Sequence, residues 1–188
     1  MEETEVNGGE QKVDGLRLSL SVSASDVISP LTKASATDAN AISDLNILVY
    51  NKDNNRLVKG LYLTGAALNG LTVNNNEENK AVNYDIALQN GSYRVRVIAN
   101  AESDLSAEPF DKIDNLSYGT LDNLPKMVMS ASADDVSVSG GKGSAILSLK
   151  RIYAMISVSV NTSGLKDRTI KPLKVSLHQV PATGKLFM

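Results

Sequence analysis

The chain has 188 residues, and its 19 basic and 21 acidic side chains give a formal net charge of −2 at pH 7. This balance excludes the basic stripe with which proteins bind nucleic acid or an anionic membrane surface. The sequence contains no cysteine and no tryptophan, which excludes disulfides, a thiol nucleophile and a thiolate zinc site.

The first residues of the chain are acidic and polar, unlike the basic start and apolar run of a signal peptide. Residues 1–14 are therefore predicted to be a disordered leader. No apolar run approaches the roughly 20 residues that a membrane-spanning helix needs.

The first strand is predicted over residues 15–25. Leu16, Leu18, Leu20 and Val22 alternate with polar residues, which is the period-two pattern of a strand with one buried face. Residues 26–41 are rich in Ser, Thr, Ala, Asp and Asn and contain one proline. This composition predicts an exposed spacer between the first strand and the rest of the domain.

Two further strands follow the spacer. Leu45, Ile47 and Val49 alternate with other residues and predict the core face of a second strand. The run 51–55 has the composition of a turn, and residues 57–63 predict a short third strand that ends near Gly65.

The dipeptide Asn90-Gly91 separates two runs of alternating apolar residues, one ending at Leu88 and the other starting at Tyr93. Asn-Gly between two such runs is the strongest short-range signal for a β-hairpin. We therefore expect these two strands to pair with each other.

Residues 100–123 break the β pattern, and their apolar residues have a loose helical spacing that predicts one or two short helices in a crossover. The runs 127–129 and 136–138 predict two short strands, with a glycine-rich turn at 140–143. The alternation then changes phase at Lys150-Arg151, which predicts a bulge or a strand that passes from one sheet to another. A last strand is predicted over 173–177.

Short strands separated by turns about every ten residues are typical of an all-β domain. We predict a two-sheet β-sandwich of about seven strands with a short helical crossover. Its body spans 42–188, and with the first strand and the spacer it makes a single domain over 15–188.

No pattern of residues in the chain indicates catalysis, a cofactor or a metal. His178 is the only histidine, and in an alternating strand it is expected to face solvent rather than act as a base. The same solvated position is expected for Arg94 and Arg96, with a groove lining for a partner as the alternative. Four scattered carboxylates are also expected at the surface: Asp111, Asp114, Asp134 and Asp135. The chain is predicted not to be an enzyme.

Five stretches, in the same order, resemble the fimbrillin family of Bacteroidales type V pili. They are the strand opening 42–51, the run 88–101 that ends in Ala-Asn-Ala, the methionine strand 124–130, the Lys-Arg core strand 149–156 and the run 180–187 at the end of the family's N-terminal domain. The resemblance covers most of residues 16–188.

This resemblance implies a transthyretin-like β-sandwich exported as a lipoprotein precursor to the outer membrane. There a protease removes the first strand, and the vacated groove accepts a strand from the next subunit. The expected partners are therefore other pilus subunits, a lipid on the precursor, and host or bacterial surface receptors. No nucleic acid and no cofactor is expected.

The position similar to the family's cleavage site is the bond between Lys33 and Ala34, in the spacer. The best-described family members have arginine where this chain has Lys33, so a lysine-tolerant protease and no cleavage both stay open. The resemblance also implies a second β-sandwich domain and a lipid-bearing cysteine, and since this sequence shows neither, a truncated chain and a subunit that cannot donate a strand both stay open. The alternative is a non-polymerising adhesin, tip or anchor subunit, or a glycan-binding module that binds through the loops at 74–80 and 101–123.

Overall fold

The computed structural model describes residues 15–22, 42–69, 73–76, 79–119, 128–152, 176 and 183–187. In chain order the elements are β1 (Gly15–Val22), β2 (Asp44–Asn51), β3 (Leu57–Thr64), α1 (Gly65–Asn69), β4 (Val73–Asn76), β5 (Asn79–Ala87), β6 (Gly91–Ala99), α2 (Phe110–Asp114), β7 (Ser117–Gly119), β8 (Met129–Val138), β9 (Lys142–Arg151) and β10 (Thr183–Lys185). The predicted all-β class is confirmed, and α2 confirms a short helix within the crossover.

Eight strands form one hydrogen-bonded sheet in the order β3-β2-β6-β8-β9-β1-β5-β4, and β10 pairs with β7 in a separate two-stranded sheet. Among the described strands, β1 and β9 form the parallel pair, and the other pairs are antiparallel. The sheet is curled, so that β3 at one end and β5 near the other contribute to one core.

Strands β8 and β9 connect the two parts of the sheet, although they pair with each other over only a short length. Gly140 and Gly141, with φ angles of 57° and 73°, make the two-residue turn that joins these strands, as a primed hairpin turn requires. The β8–β9 ladder pairs lie at the opposite end, at Met129↔Arg151 and Ser130↔Lys150. Elsewhere β8 pairs with β6 and β9 pairs with β1. We call β3-β2-β6-β8 the β2 half of the sheet and β9-β1-β5-β4 the β1 half.

The main core lies between side chains from both halves. Alternate residues of each strand point into it because side chains alternate between the two faces of a strand. The β1 half supplies Leu16, Leu18, Leu20, Val22, Ile86, Ala145, Leu147 and Leu149. The β2 half supplies Leu45, Ile47, Val49, Leu63, Tyr93, Val95, Val97, Ala99, Met129, Ala131, Val136 and Val138.

A second, smaller core covers the outer face of the β2 half. Strand β2 is buried on both faces, since Leu48 and Tyr50 point away from the main core and are still fully buried. Helix α2 and the segment after β10 cover them. The buried members of this second core are Leu48, Tyr50, Ile98, Phe110, Ile113, Val128, Leu186 and Phe187.

The predicted hairpin at Asn90-Gly91 is wrong, although both of its strands are present. Strand β5 pairs with β1 at 81–87 and with β4 at 79–82, while β6 pairs with β2 on one edge and with β8 on the other, so the two strands do not pair with each other. The Asn90-Gly91 dipeptide instead carries the chain from the β1 half to the β2 half. Its Asn90 side-chain oxygen accepts a hydrogen bond from the Gly141 amide at 2.9 Å, which ties this connection to the β8–β9 turn.

Of the two short strands predicted at 127–129 and 136–138, Met129 and 136–138 belong to one strand, β8; Val128 lies just before it, and residue 127 lies outside the described residues. The phase change predicted at Lys150-Arg151 coincides with a change of partner, because β9 pairs with β1 as far as Leu149 and with β8 at the next two residues. The leader 1–14, the spacer 26–41 and the predicted strand at 173–177, apart from Ser176, lie outside the described residues.

Candidate functional site

Strand β1 occupies an interior position in the sheet, with β5 on one side and β9 on the other. It runs antiparallel to β5, with Leu18 opposite Tyr84, and parallel to β9, with Leu18 opposite Ala145. Both of its edges are therefore paired along most of its length. We call the space that β1 fills, between β5 and β9, the β1 slot.

The inner face of β1 is one of the most completely buried surfaces in the described part of the chain. Leu16, Leu18, Leu20 and Val22 are 1%, 0%, 1% and 3% exposed. Burial of an aliphatic side chain of this size contributes about 1.5–3 kcal/mol. The four residues predicted as the core face of the first strand thus have that position, and each stabilises the main core.

The outer face of β1 is held to β5 by two polar pairs. The Arg17 guanidinium donates from Nε to Oδ1 of Asp85 at 3.1 Å. The Ser19 hydroxyl donates to Oδ1 of Asn83 at 2.7 Å. Each pair joins residues directly opposite each other in the β1–β5 register, so the polar contacts and the backbone ladder specify the same alignment.

The first residue of β1 lies too close to β5 to carry a side chain. A Cβ added to Gly15 would lie 2.1 Å from the Ile86 carbonyl oxygen, and backbone atoms there cannot move aside without breaking the ladder. The Gly15 amide also donates to the Gly141 carbonyl oxygen at 2.8 Å. The slot therefore has no room for a side chain at position 15.

Arg96, expected on a solvated face, is buried, so that prediction is wrong. Its side chain is 5% exposed, and its Nη2 lies 2.8 Å from a carboxylate oxygen of Asp114 and 2.8 Å from one of Asp134. Its guanidinium also lies 5.0 Å from the ring centroid of Phe110 and 5.4 Å from that of Phe187. Two of the carboxylates expected only to be solvated therefore neutralise a buried cation.

The neighbouring Arg94 is also not simply solvated, because its guanidinium lies 5.1 Å from the same Phe110 ring. The alternation of β6 correctly placed both arginines on the face opposite Val95. It could not show that α2 and the segment after β10 cover this face.

The loop after β6, proposed as the binding edge of an adhesin, is held by buried polar groups of β2. The Asp44 carboxylate accepts hydrogen bonds from the amides of Ala101 and Glu102 at 3.0 and 3.1 Å. The Asn46 side chain accepts from the Leu105 amide at 2.8 Å and donates to another loop carbonyl. These contacts make the first part of the loop an ordered extension of the second core.

The pKa values of Tyr50, Tyr62 and Asp104 are shifted in this region. Burial raises the pKa of Tyr50, whose hydroxyl donates to the Glu108 carbonyl oxygen at 2.8 Å. The pKa of Asp104, on the exposed loop, is lowered because its carboxylate accepts hydrogen bonds from the hydroxyl and the amide of Ser106. Both contacts fix the geometry of the loop.

The proposed processing residues, Lys33 and Ala34, lie outside the described residues, as does His178. Within the described ranges, no group of three or more His, Cys, Asp or Glu side chains could hold a metal ion. No helix there has the length and apolar character to cross a membrane.

The sequence alone does not identify Gly15, Asn83 and Asp85 as parts of the β1 slot. Asn83 and Asp85 are the polar positions of the alternating run that forms β5, but no feature of that run shows that it pairs with β1. The ion pair between Arg17 and Asp85 spans residues far apart in the chain, and only the strand order brings them together.

The sequence model of one protein family, described as the major fimbrial subunit protein (FimA), matches residues 16–170 of the chain. No curated protein matches it. Three solved structures are among those similar to it. A fimbrial assembly protein from Parabacteroides distasonis is 12% identical with a TM-score of 0.48, and the match covers 73% of this chain and 51% of that one.

The tip fimbrial protein Mfa3 from Porphyromonas gingivalis is 11% identical with a TM-score of 0.47, over 73% of this chain and 48% of that one. A fimbrilin (FimA) from Porphyromonas gingivalis is 14% identical with a TM-score of 0.47, over 74% of this chain and 40% of that one. The chain thus spans about half the length of these structures, or less.

Proposed function

The chain belongs to the family of the major fimbrial subunit protein FimA, and from this premise we propose that it is a structural subunit of a bacterial surface fimbrium. It assembles by strand exchange: β1 is removed from its slot, and an extended segment of another subunit takes its place. The subunit supports adhesion as part of the fibre. The observation that carries this proposal is the interior position of β1 between β5 and β9.

The removal of β1 would open the sheet in its middle. Strands β5 and β9 would each lose a hydrogen-bonded neighbour, and the core would lose the cover of four buried aliphatic side chains. Unpaired strand edges beside an uncovered core are a strong template for an added strand. The folded domain would therefore accept a strand from a partner with main-chain hydrogen bonds and side-chain burial together.

We propose the bond between Lys33 and Ala34 as the processing site. A cut there leaves β1 attached to the domain by non-covalent contacts alone, so another strand can compete for the slot. Each subunit that accepts a strand from one neighbour and provides one to the next makes a head-to-tail contact, and such contacts build a filament when they do not close into a ring.

We further propose that residues 15–188 act as one domain, with 1–14 as leader and 26–41 as the cleavable spacer. The precursor travels to the outer membrane as a lipoprotein, and the mature subunit belongs to the extracellular fimbrium. Its partners are other pilus subunits, and the fibre contacts surface receptors.

The test is proteolysis of the full chain, with a longer fimbrial subunit of the same family as strand donor. We expect a trypsin-like protease to cut the folded protein between Lys33 and Ala34, and the cut protein to form ladders of complexes with the donor in unboiled gels. The matched control is Lys33→Ala, which should keep β1 joined to the domain through the 33–34 bond and stay monomeric under the same treatment.

Two results would count against this function. A mature N-terminus other than Ala34 in material shed from cells would remove the processing site. A cut protein that stays monomeric with the donor and instead binds a glycan array would favour the adhesin, tip or anchor alternative.

A further inference from the structure

Strand β1 contacts its slot differently on its two faces. The inner face supplies aliphatic bulk, which many extended segments could provide. The outer face and the end residue make contacts that depend on particular side chains: Arg17 with Asp85, Ser19 with Asn83, and Gly15 with the Ile86 carbonyl. All three partners lie on β5.

We propose that β5 selects which segment can occupy the β1 slot. The occupant that fits is an extended peptide segment with a glycine at the position of Gly15, aliphatic residues at every second position after it, a cation at position 17 and a hydroxyl at position 19. The inference rests on the proposed strand exchange and adds to it a rule for the sequence of the incoming strand.

The glycine requirement is steric. A Cβ at position 15 would lie 2.1 Å from the Ile86 carbonyl oxygen and 3.0 Å from the Ala87 Cα. Both are backbone atoms of β5 at the point where Gly15 pairs with Ala87, so room for a Cβ would require the β1–β5 ladder to shift. An incoming segment with a larger residue there must shift along the slot or leave that end unpaired.

A shift along the slot is itself unfavourable. A one-residue slip would turn the aliphatic face of the segment outward and its polar face into the core. A two-residue slip would keep the faces but move the cation away from Asp85 and the hydroxyl away from Asn83. The glycine at position 15 and the two polar pairs therefore select one register.

The two polar pairs select the incoming segment more than they strengthen its binding. The Arg17 and Asp85 side chains are 68% and 45% exposed, so water screens their attraction and each contributes modestly to affinity. This ion pair mainly discriminates between incoming segments, because an acidic residue opposite Asp85 is repelled while a basic one is attracted. The hydroxyl of residue 19 adds a short hydrogen bond to Asn83 in the same way.

The test uses the full chain cut once in the spacer, so that β1 is held non-covalently, with sub-denaturing urea to speed exchange. Fluorescent peptides with the sequence of residues 15–25 compete for the slot. The matched control peptide carries Arg17→Ser together with Ser19→Arg, which preserves composition and the apolar face but exchanges the two polar positions. We expect it to compete about threefold to tenfold less well.

A second pair of peptides tests the requirement for glycine at position 15. Gly15→Val should weaken competition by about tenfold or more, because its side chain meets backbone. A peptide that starts at Leu16 lacks the contact with the Gly141 carbonyl but has no clash, so it should compete better than the valine peptide.

A change on the chain itself completes the experiment. With Asp85→Arg in the cut protein, a peptide carrying Arg17→Asp should compete better than the unaltered peptide, which reverses the preference. If matched and mismatched peptides compete equally, strand exchange stands and selection by β5 is refuted. If no peptide enters the slot of the unaltered protein at any concentration, strand exchange itself fails, and the selection rule fails with it.

Discussion

Arg96 donates two hydrogen bonds to a single carboxylate oxygen of Asp114, from Nε at 3.0 Å and from Nη2 at 2.8 Å. The two residues belong to β6 and α2, so the contact fastens the helical crossover to the outer face of the sheet. Asp134 approaches the same Nη2 from β8. The second core is thus assembled around a neutralised cation as well as around apolar side chains.

Loss of one partner from this cluster should be costly. We expect Asp114→Ala to lower the free energy of unfolding by about 3 kcal/mol, because it leaves a buried guanidinium with one remaining carboxylate. Arg17→Ala breaks an exposed ion pair and serves as the control, with an expected loss of about 1 kcal/mol or less. Urea unfolding measures both, and equal losses would show that Arg96 is not held as the geometry indicates.

The loop after β6 lies directly against β3. A Cβ added to Gly60 would lie 1.7 Å from the Ser106 carbonyl oxygen, so Gly60→Ala should displace the loop and lower the free energy of unfolding by about 2 kcal/mol or more. Gly65→Ala is the control. Nothing lies within 4 Å of its added Cβ, and its φ of 50° alone should cost about 1 kcal/mol. Thermal unfolding that ranks these variants in the opposite order would contradict the contact.

Asp44 fixes the start of the same loop. Asp44→Ala removes the acceptor of the Ala101 and Glu102 amides, and we expect a loss of about 1–3 kcal/mol. Hydrogen exchange should become faster at these two amides while Val97, in the centre of β6, keeps its protection. An equal loss of protection at all three would mean that Asp44 stabilises the whole domain rather than the loop.

Tyr50 makes stability sensitive to high pH. Burial raises its pKa in the folded state, whereas in the unfolded chain a tyrosine titrates near about 10. Its contribution is therefore fully present below about pH 10 and is lost as pH rises beyond that value, because the unfolded state releases the proton first. Tyr50→Phe should make the free energy of unfolding fall less steeply between about pH 10 and 11. An unchanged slope would show that the hydroxyl is not buried.

The inner face of β1 should be as important to stability as any part of the core. Leu18 is 0% exposed, and Leu18→Ala should lower the free energy of unfolding by about 2–5 kcal/mol. Ser21→Ala, on the opposite face, should change it by about 0.5 kcal/mol or less. If both variants unfold at the same urea concentration, β1 does not contribute to the core as its burial indicates.

The site was partly visible in the sequence. Leu16, Leu18, Leu20 and Val22 were identified as a core face from their alternation, because the period of a strand is set by its own backbone. Gly15, Asn83 and Asp85 were not identified, because their roles depend on the strand that lies beside β1. Neither a requirement for glycine nor a cross-strand pair can be recognised within one strand, because each depends on atoms of the neighbouring strand.

The amino-acid sequence by itself determined where strands form and which of their residues are apolar. It predicted β1, β2, β3, β5, β6 and the turn at Gly140-Gly141, since each depends on alternation or on turn residues within a few positions. It also located a change of phase at Lys150-Arg151, because a shift of phase is a local signal, and the structure shows that β9 changes its partner from β1 to β8 there.

Only the tertiary structure decided which strands are neighbours. Every strand offers the same backbone donors and acceptors, so the signal at Asn90-Gly91 fits a hairpin and a crossing between sheet halves equally well. The crossing is chosen because β1 pairs with the end of β5 that leads into Asn90-Gly91, while β2 and β8 occupy both edges of β6. The burial of Arg96 was decided in the same way, by Phe110 and Phe187, which lie far from it and from each other in the chain.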